Sequence, residues 1–298
     1  MLPYLLRRLA FAVALVFVAS SASLLLARLA PGDYATESLG IGARTERVAE
    51  MRERYGLDRP LLGQYLAWIG GALRFDFGRS LAYDRPVSEL IPERAANTAV
   101  LALTALAAAT VVGLPLGVIS GTGRGTAIPA LIRAASLALL SLPPLLTSLL
   151  LVFVAARTRW LPLGGIVVPS MALALPVAAM FERLQSQAIR DVLGEPYVLA
   201  AVARGVPPAR LIWRDALRAS LRPVVSVYGL IIGTLLSGSF AVEMITAWPG
   251  LGRLMLEALR ARDIYLVAGC AAAGSVFLAC GTLVSDAALV LVDPRARE

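Results

Sequence analysis

The chain has 298 residues and a formal charge of +8, and 58% of its residues are hydrophobic, where soluble domains hold about 45–50%. The excess gathers in runs that reach the ~20 residues a helix needs to cross a bilayer. All 28 basic residues are arginine: without lysine there is no Walker A phosphate loop, and without histidine no imidazole base or imidazole metal ligand.

Six apolar segments, at 9–30, 96–121, 130–156, 164–182, 223–247 and 265–292, are too long for the ~10-residue strands of a membrane barrel. The expected fold class is therefore all-α, a polytopic membrane protein of six transmembrane helices. Its expected regions are 1–30 (N-terminus and first span), an external segment at 31–95, and a transmembrane domain at 96–298 with a cytoplasmic loop at 183–222. The first run follows Arg7 and Arg8 but exceeds the 7–15 residues of a signal-peptide core, so it is expected to remain as a span. Arginines near the span ends then favour both termini inside: Arg7, Arg8, Arg124, Arg133, Arg295, Arg297 and the arginines of 183–222 share one side. The basic balance thus points to anionic lipid at the cytoplasmic face and not to nucleic acid.

Along the external segment, Val48, Met51 and Tyr55 recur at helical spacing among charges, which predicts a short amphipathic helix over 44–56. In the second span Gly113, Gly117 and Gly121 repeat every four residues, and in the fifth Gly229, Gly233 and Ser237 do the same. Such spacing brings helices close, either as plain packing or as a moving seam along a pathway. GTGRGT at 121–126 is a loop between spans, since no strand precedes it. Arg28, Glu182 and Glu243 fall near expected span ends within reach of water, so no mid-membrane proton relay is expected. Cys270 and Cys280, ten residues apart on one helix, lie roughly 15 Å from each other, too far to bridge.

Within 183–222, Glu195 and Pro196 open a helix, Gly205 ends it, and Pro207 and Pro208 start another. Tyr197 to Ala203 are apolar or small, so this helix needs a cover: a groove on a cytoplasmic partner or the membrane surface. The next helix sets Arg210, Arg214, Arg218 and Arg222 at four-residue steps, which calls for phospholipid head groups or an acidic partner.

Eight short motifs then bring a resemblance. PYLLRRL (3–9), PGD (31–33), YGLDRP (55–60), QYLAW (64–68), FDFGRS (75–80), PVSELIPER (86–94), EMITAWPGLGRL (243–254) and DPR (293–295) stand in order. With them the chain resembles the first membrane subunit of dipeptide, oligopeptide and nickel ABC importers, the binding-protein-dependent transport inner-membrane components. The resemblance implies a non-catalytic permease with no cofactor of its own, ATP and magnesium being bound by partners. Those partners are a second homologous permease, two cytoplasmic ATPase subunits, an external substrate-binding protein and membrane lipid. It makes 195–205 the ATPase-coupling helix, with Glu195, Tyr197, Leu199, Ala200, Ala201, Arg204 and Gly205 as its site. The broad superfamily places an acid where Leu199 stands, and the family usually carries a His and an Asn within the stretch that here reads DALRAS (215–220). Peptides are the expected cargo, nickel or a metal chelate the alternative. An ion-driven carrier would need a midplane ionisable residue, and an intramembrane enzyme would need paired catalytic side chains; neither is expected here.

Overall fold

The computed structural model describes residues 2–40, 42–123 and 126–292. Arg124, Arg295, Arg297 and the DPR motif at 293–295 lie outside the described residues, as do the side chains of Ser237 and Asp286. Every element longer than an isolated bridge is a helix: α1 (Leu2–Leu29), α2 (Tyr34–Leu39), α3 (Thr45–Tyr55), α4 (Leu61–Ala72), α5 (Val87–Thr122), α6 (Ala127–Leu140), α7 (Pro144–Thr158) and α8 (Val167–Leu193). α9 (Pro196–Ala203), α10 (Pro208–Arg210), a π-helical turn (Leu211–Ala216), α11 (Leu217–Ser226), α12 (Tyr228–Thr246), α13 (Leu251–Arg260) and α14 (Ile264–Val292) follow.

Four helices, α1, α5, α8 and α14, are long and apolar enough to cross a bilayer, and two bent pairs raise the count to six if each is one span. The sequence reads 130–156 as one span, but the structure breaks it: α6 and α7 meet at 106°. The cause is Pro143 and Pro144. Pro143 is extended and offers no N–H, and Pro144 starts a new helix. A milder 46° bend separates the helix over Pro208–Ser226 from α12. By contrast Pro176 leaves α8 unbroken. α8 also runs to Leu193, past the expected span end at 182, and α5 begins at Val87, inside the PVSELIPER motif.

The chain divides into two compact units, Met1–Ala99 with Pro249–Ala279, and Val100–Trp248 with Cys280–Glu298. In the first unit, hydrogen bonds tie the motifs behind the resemblance to neighbouring helices and, in one case, to each other. Asp33 of PGD caps α2, accepting from the Thr36 N–H at 2.9 Å, and takes Arg52 Nε of α3 at 2.6 Å. Burial pushes the Asp33 carboxyl up, but the hydrogen bonds from Arg52 and Thr36 and the guanidinium charge outweigh this and hold it below the ordinary carboxylate value. The expected amphipathic helix is α3, whose Val48, Met51 and Tyr55 cover Ala35, Leu57 and Leu81. Gln64 of QYLAW donates to the carbonyls of Gly56, Leu57 and Arg59 in YGLDRP. Asn97 donates to the Pro249 carbonyl, and the Leu251 N–H to Thr98 Oγ1, which fixes the WPGLG turn to α5.

The buried Asp263 closes this unit. It caps α14 through the Leu266 N–H at 3.1 Å and also takes Ser80 Oγ of FDFGRS at 2.5 Å and the Ala82 N–H at 3.1 Å. Hydrogen bonds to a charged group contribute about 1.5–3 kcal/mol each, and buried donors left alone cost further. Asp263→Ala is expected to destabilise the protein by about 3 kcal/mol or more, and Asp263→Asn by less. Thermal unfolding of the purified protein in detergent checks the order.

Candidate functional site

All of the site elements lie in the second unit. α8 ends at Leu193, and Gly194 and Glu195 turn the chain. Glu195 holds the N-cap position of α9 in an extended conformation with no capping hydrogen bond from its side chain, and Pro196 occupies the first helical position. At the other end the Val206 N–H reaches the Ala201 carbonyl and the Gly205 N–H the Val202 carbonyl, at 3.2 and 2.9 Å. These are the paired bonds of a Schellman termination, and Val206 packs against the cluster that holds Ala201, the hydrophobic contact that often accompanies the motif. Gly205 supplies the left-handed residue, φ +76°, and a Cβ there would meet nothing within 4 Å. The glycine is therefore needed for its backbone, not for space.

The two faces of α9 differ. Val198 and Ala201 are buried against Leu211, Val192, Leu193 and Val206, so the helix is fastened to the end of α8 and to the π-helical turn. Tyr197, Leu199 and Val202 are 51%, 62% and 56% exposed, and Ala200 and Arg204 are exposed beside them. The result is a bare apolar surface with one arginine at its edge. Leu199 stands on that outer face, so the departure from the superfamily acid changes the surface and not the anchoring.

The arginines at 210, 214, 218 and 222 are all exposed. Their stripe does not follow a uniform α-helix, because Leu211–Ala216 is a π-helical turn. Leu211, Ala216, Ser220 and Val224 are the buried positions, with one step of five before steps of four. Ser220, within DALRAS, accepts from Gln185 Nε2 of α8 at 2.7 Å. That stretch thus keeps a polar tie to α8 despite its departure.

α8 in turn lies on the glycine face of α5. A Cβ on Gly113 would stand 2.5 Å from the Ala178 carbonyl oxygen and 2.8 Å from Phe181 Cβ. On Gly117 it would stand 2.6 Å from Gln185 Cβ and 2.7 Å from the Glu182 carbonyl oxygen; on Gly121, 2.7 Å from the Ser186 carbonyl oxygen and against Ile189. Three glycines thus face two rows of α8, 178/182/186 and 181/185/189, at backbone contact. In α12 Gly229 and Gly233 are buried, and Gly281 of α14 stands where a Cβ would lie 3.7 Å from the Gly233 nitrogen. The glycine of α12 turned to both α7 and α8 is Gly238, near Pro144 and Leu173, which the four-residue repeat missed.

Burial overturns one expectation. Glu182 is 2% and Glu243 0% exposed, so within this chain neither reaches water. The reason is the length of α8: Glu182 sits in the middle of a 27-residue helix. Ser120 of α5 donates to its Oε1 across the glycine seam. Tyr228 of α12 stacks on Phe181, with centroids 4.9 Å apart, and shares a hydrogen bond with Thr110 at 2.9 Å. No signal in the sequence announced these ties, since each joins residues far apart in the chain. No group of three or more His, Cys, Asp or Glu able to hold a metal occurs among the described residues. The arrangement ties α9 to the end of α8 and sets α8 against α5 at backbone contact.

The family of binding-protein-dependent transport system inner membrane components matches residues 113–298. The chain belongs to this family. The family's N-terminal component matches residues 1–102. Among curated relatives, the oligopeptide transport system permease protein AppB of Bacillus subtilis is 30% identical, with 99% of each chain covered. A probable peptide ABC transporter permease of Sinorhizobium fredii is also 30% identical over 99% of both chains. The glutathione transport system permease protein GsiC of Escherichia coli is 31% identical over 100% of this chain and 99% of its own. As a member, this protein is a multi-pass inner-membrane permease, a non-catalytic component of an ABC importer. Such a transporter works with ATPase and binding-protein partners.

Proposed function

We propose that this permease carries di- or oligopeptides and receives the work of ATP hydrolysis through α9. The peptide reading is supported by the relatives, whose names refer to oligopeptide, peptide and glutathione transport. The coupling reading rests on one observation: α9 is anchored on one face and bare and apolar on the other, at the end of a long membrane helix.

The mechanism follows from rigidity. An apolar helix face left in water is unfavourable by about 25 cal/mol per Å², so Tyr197, Leu199 and Val202 seek a groove on an ATPase subunit, with Arg204 at the rim. ATP and magnesium stay in that subunit; this chain holds no cofactor. When two ATPase subunits close, each pulls its coupling helix. The Val198–Ala201–Leu211 cluster keeps α9 from sliding on its base, so the motion passes to α8. The glycine seam has no side-chain layer between the helices, which lets α8 and α5 move in register or rock about Gly117. A second homologous permease completes the passage, and an external binding protein delivers peptide to its outer mouth. This reading takes each bent pair as one span, giving six with both termini inside, as the arginine bias supports.

Sided labelling tests the placement. In a background with Cys270 and Cys280 replaced by alanine, a cysteine at the exposed Ala200 is expected to react with a membrane-impermeant maleimide only from the cytoplasmic side. Labelling from outside reverses the topology.

A further inference from the structure

One cleft in the second unit borders the glycine seam at Glu182 and Ser186 and is not used by α9. It lies between α6 and α8, has a volume of about 190 Å³, and is lined by Arg133, Arg183, Arg190 and Glu182 together with Leu137 and Leu140. The lining follows from helical spacing. Arg133, Leu137 and Leu140 stand at i, i+4 and i+7 on α6, and Arg183 and Arg190 at i and i+7 on α8, so each helix turns one face inward.

Three guanidiniums therefore meet one carboxylate. Glu182 is buried at the inner end and accepts from Ser120. Arg133 Nη1 donates to the Ser120 carbonyl at 3.0 Å, and Arg190 donates to the Ser186 carbonyl and hydroxyl at 2.8 and 2.9 Å. These bonds fix the side chains of Arg133 and Arg190 on neutral acceptors, leaving three positive charges against one carboxylate in the cleft. Among the described residues none of the three arginines pairs with a carboxylate. Within the lining Leu137 and Leu140 are 55% and 37% exposed, so the mouth of the cleft carries apolar surface. A guanidinium fork suits phosphate oxygens, and the leucines suit glycerol and acyl carbons.

We propose that this cleft binds the headgroup of an anionic phospholipid, its phosphate held by Arg133, Arg183 and Arg190. Basic pockets between membrane helices take such headgroups, and the apolar mouth favours a lipid-borne phosphate over a free one. The proposal rests on the chain's place in the membrane and not on the coupling role of α9. It is distinct from the exposed Arg210–Arg222 stripe, none of whose arginines lines this cleft.

The test uses the full-length chain in its purified transporter complex. Native mass spectrometry reads retained lipid, and thermal unfolding reads stabilisation by phosphatidylglycerol, phosphatidylcholine or inorganic phosphate. Neither readout needs ATP, so failure here and failure of the coupling role are separate results. The wild type is expected to retain and be stabilised by phosphatidylglycerol alone. A variant carrying Arg133→Gln, Arg183→Gln and Arg190→Gln is expected to bind it roughly a hundredfold more weakly, while Arg210→Gln with Arg214→Gln keeps it. Leu140→Trp, which fills the cleft and leaves the arginines, is expected to lose the lipid as well and guards against misfolding of the triple variant. Unchanged retention in both cleft variants, or equal stabilisation by inorganic phosphate, overturns the proposal.

Discussion

Replacing Gly117 with leucine is expected to lower transport by more than tenfold and to lower the thermal midpoint of the purified protein. The obstruction is backbone as well as side chain: the first added carbon already falls 2.7 Å from the Glu182 carbonyl oxygen and 2.6 Å from Gln185 Cβ. A carbonyl within a helix cannot rotate aside, so α8 must shift as a body. Overpacked sites cost about 1–3 kcal/mol when neighbours can relax, and this one sits at or above that range. A shift here also strains the Ser120–Glu182 and Gln185–Ser220 hydrogen bonds on the same face. Gly117→Ala is expected to fall between wild type and leucine. Gly164→Ala, where an added carbon meets nothing within 4 Å, is expected to change neither measurement. Transport and melting of all three in one reconstituted series decide the point; a leucine variant matching wild type removes the seam from the account.

The second large effect is expected at Ala201. It is 8% exposed, packs with Val198 and Leu211, and supplies the carbonyl that receives the Val206 N–H. An arginine there cannot keep its charge in water without prising α9 from α8. Ala201→Arg is therefore expected to abolish stimulation of ATP hydrolysis by substrate and reduce transport at least tenfold, with the chain still in the membrane. Gly205→Trp should act less strongly. An added Cβ meets nothing within 4 Å, and the cost is that of a left-handed backbone for a residue with a Cβ, roughly 1–2 kcal/mol. Retained coupling in both variants defeats the assignment of 195–205.

The sequence announced α9 through its punctuation, because Pro196, Gly205 and Pro208 act on the backbone where they stand. It also announced the four-residue glycine repeat. Which helix the glycines meet depended on tertiary structure, and so did the burial of Glu182, since α8 continues eleven residues past the expected end of its span. The bend between α6 and α7 was written in Pro143 and Pro144, but the apolar run on either side masked it. The arginine stripe was read with a uniform helical period, and the π-helical turn at 211–216 shifts the buried face by one residue. In the first unit, motifs quoted only as a resemblance turned out to be tied by hydrogen bonds, as where Gln64 of QYLAW donates to the carbonyls of YGLDRP. Local signals mark such residues as special without saying to what they bind.

The central claim is that the outer face of α9 docks on an ATPase subunit. A photo-crosslinking amino acid at Leu199, in the intact transporter purified from membranes, tests it most directly. The expected product is a covalent adduct with the ATP-hydrolysing subunit, absent when the same group is placed at the exposed Leu131 of α6. An adduct with lipid alone, or with no protein subunit, would mean that α9 lies on the membrane surface and would contradict the account.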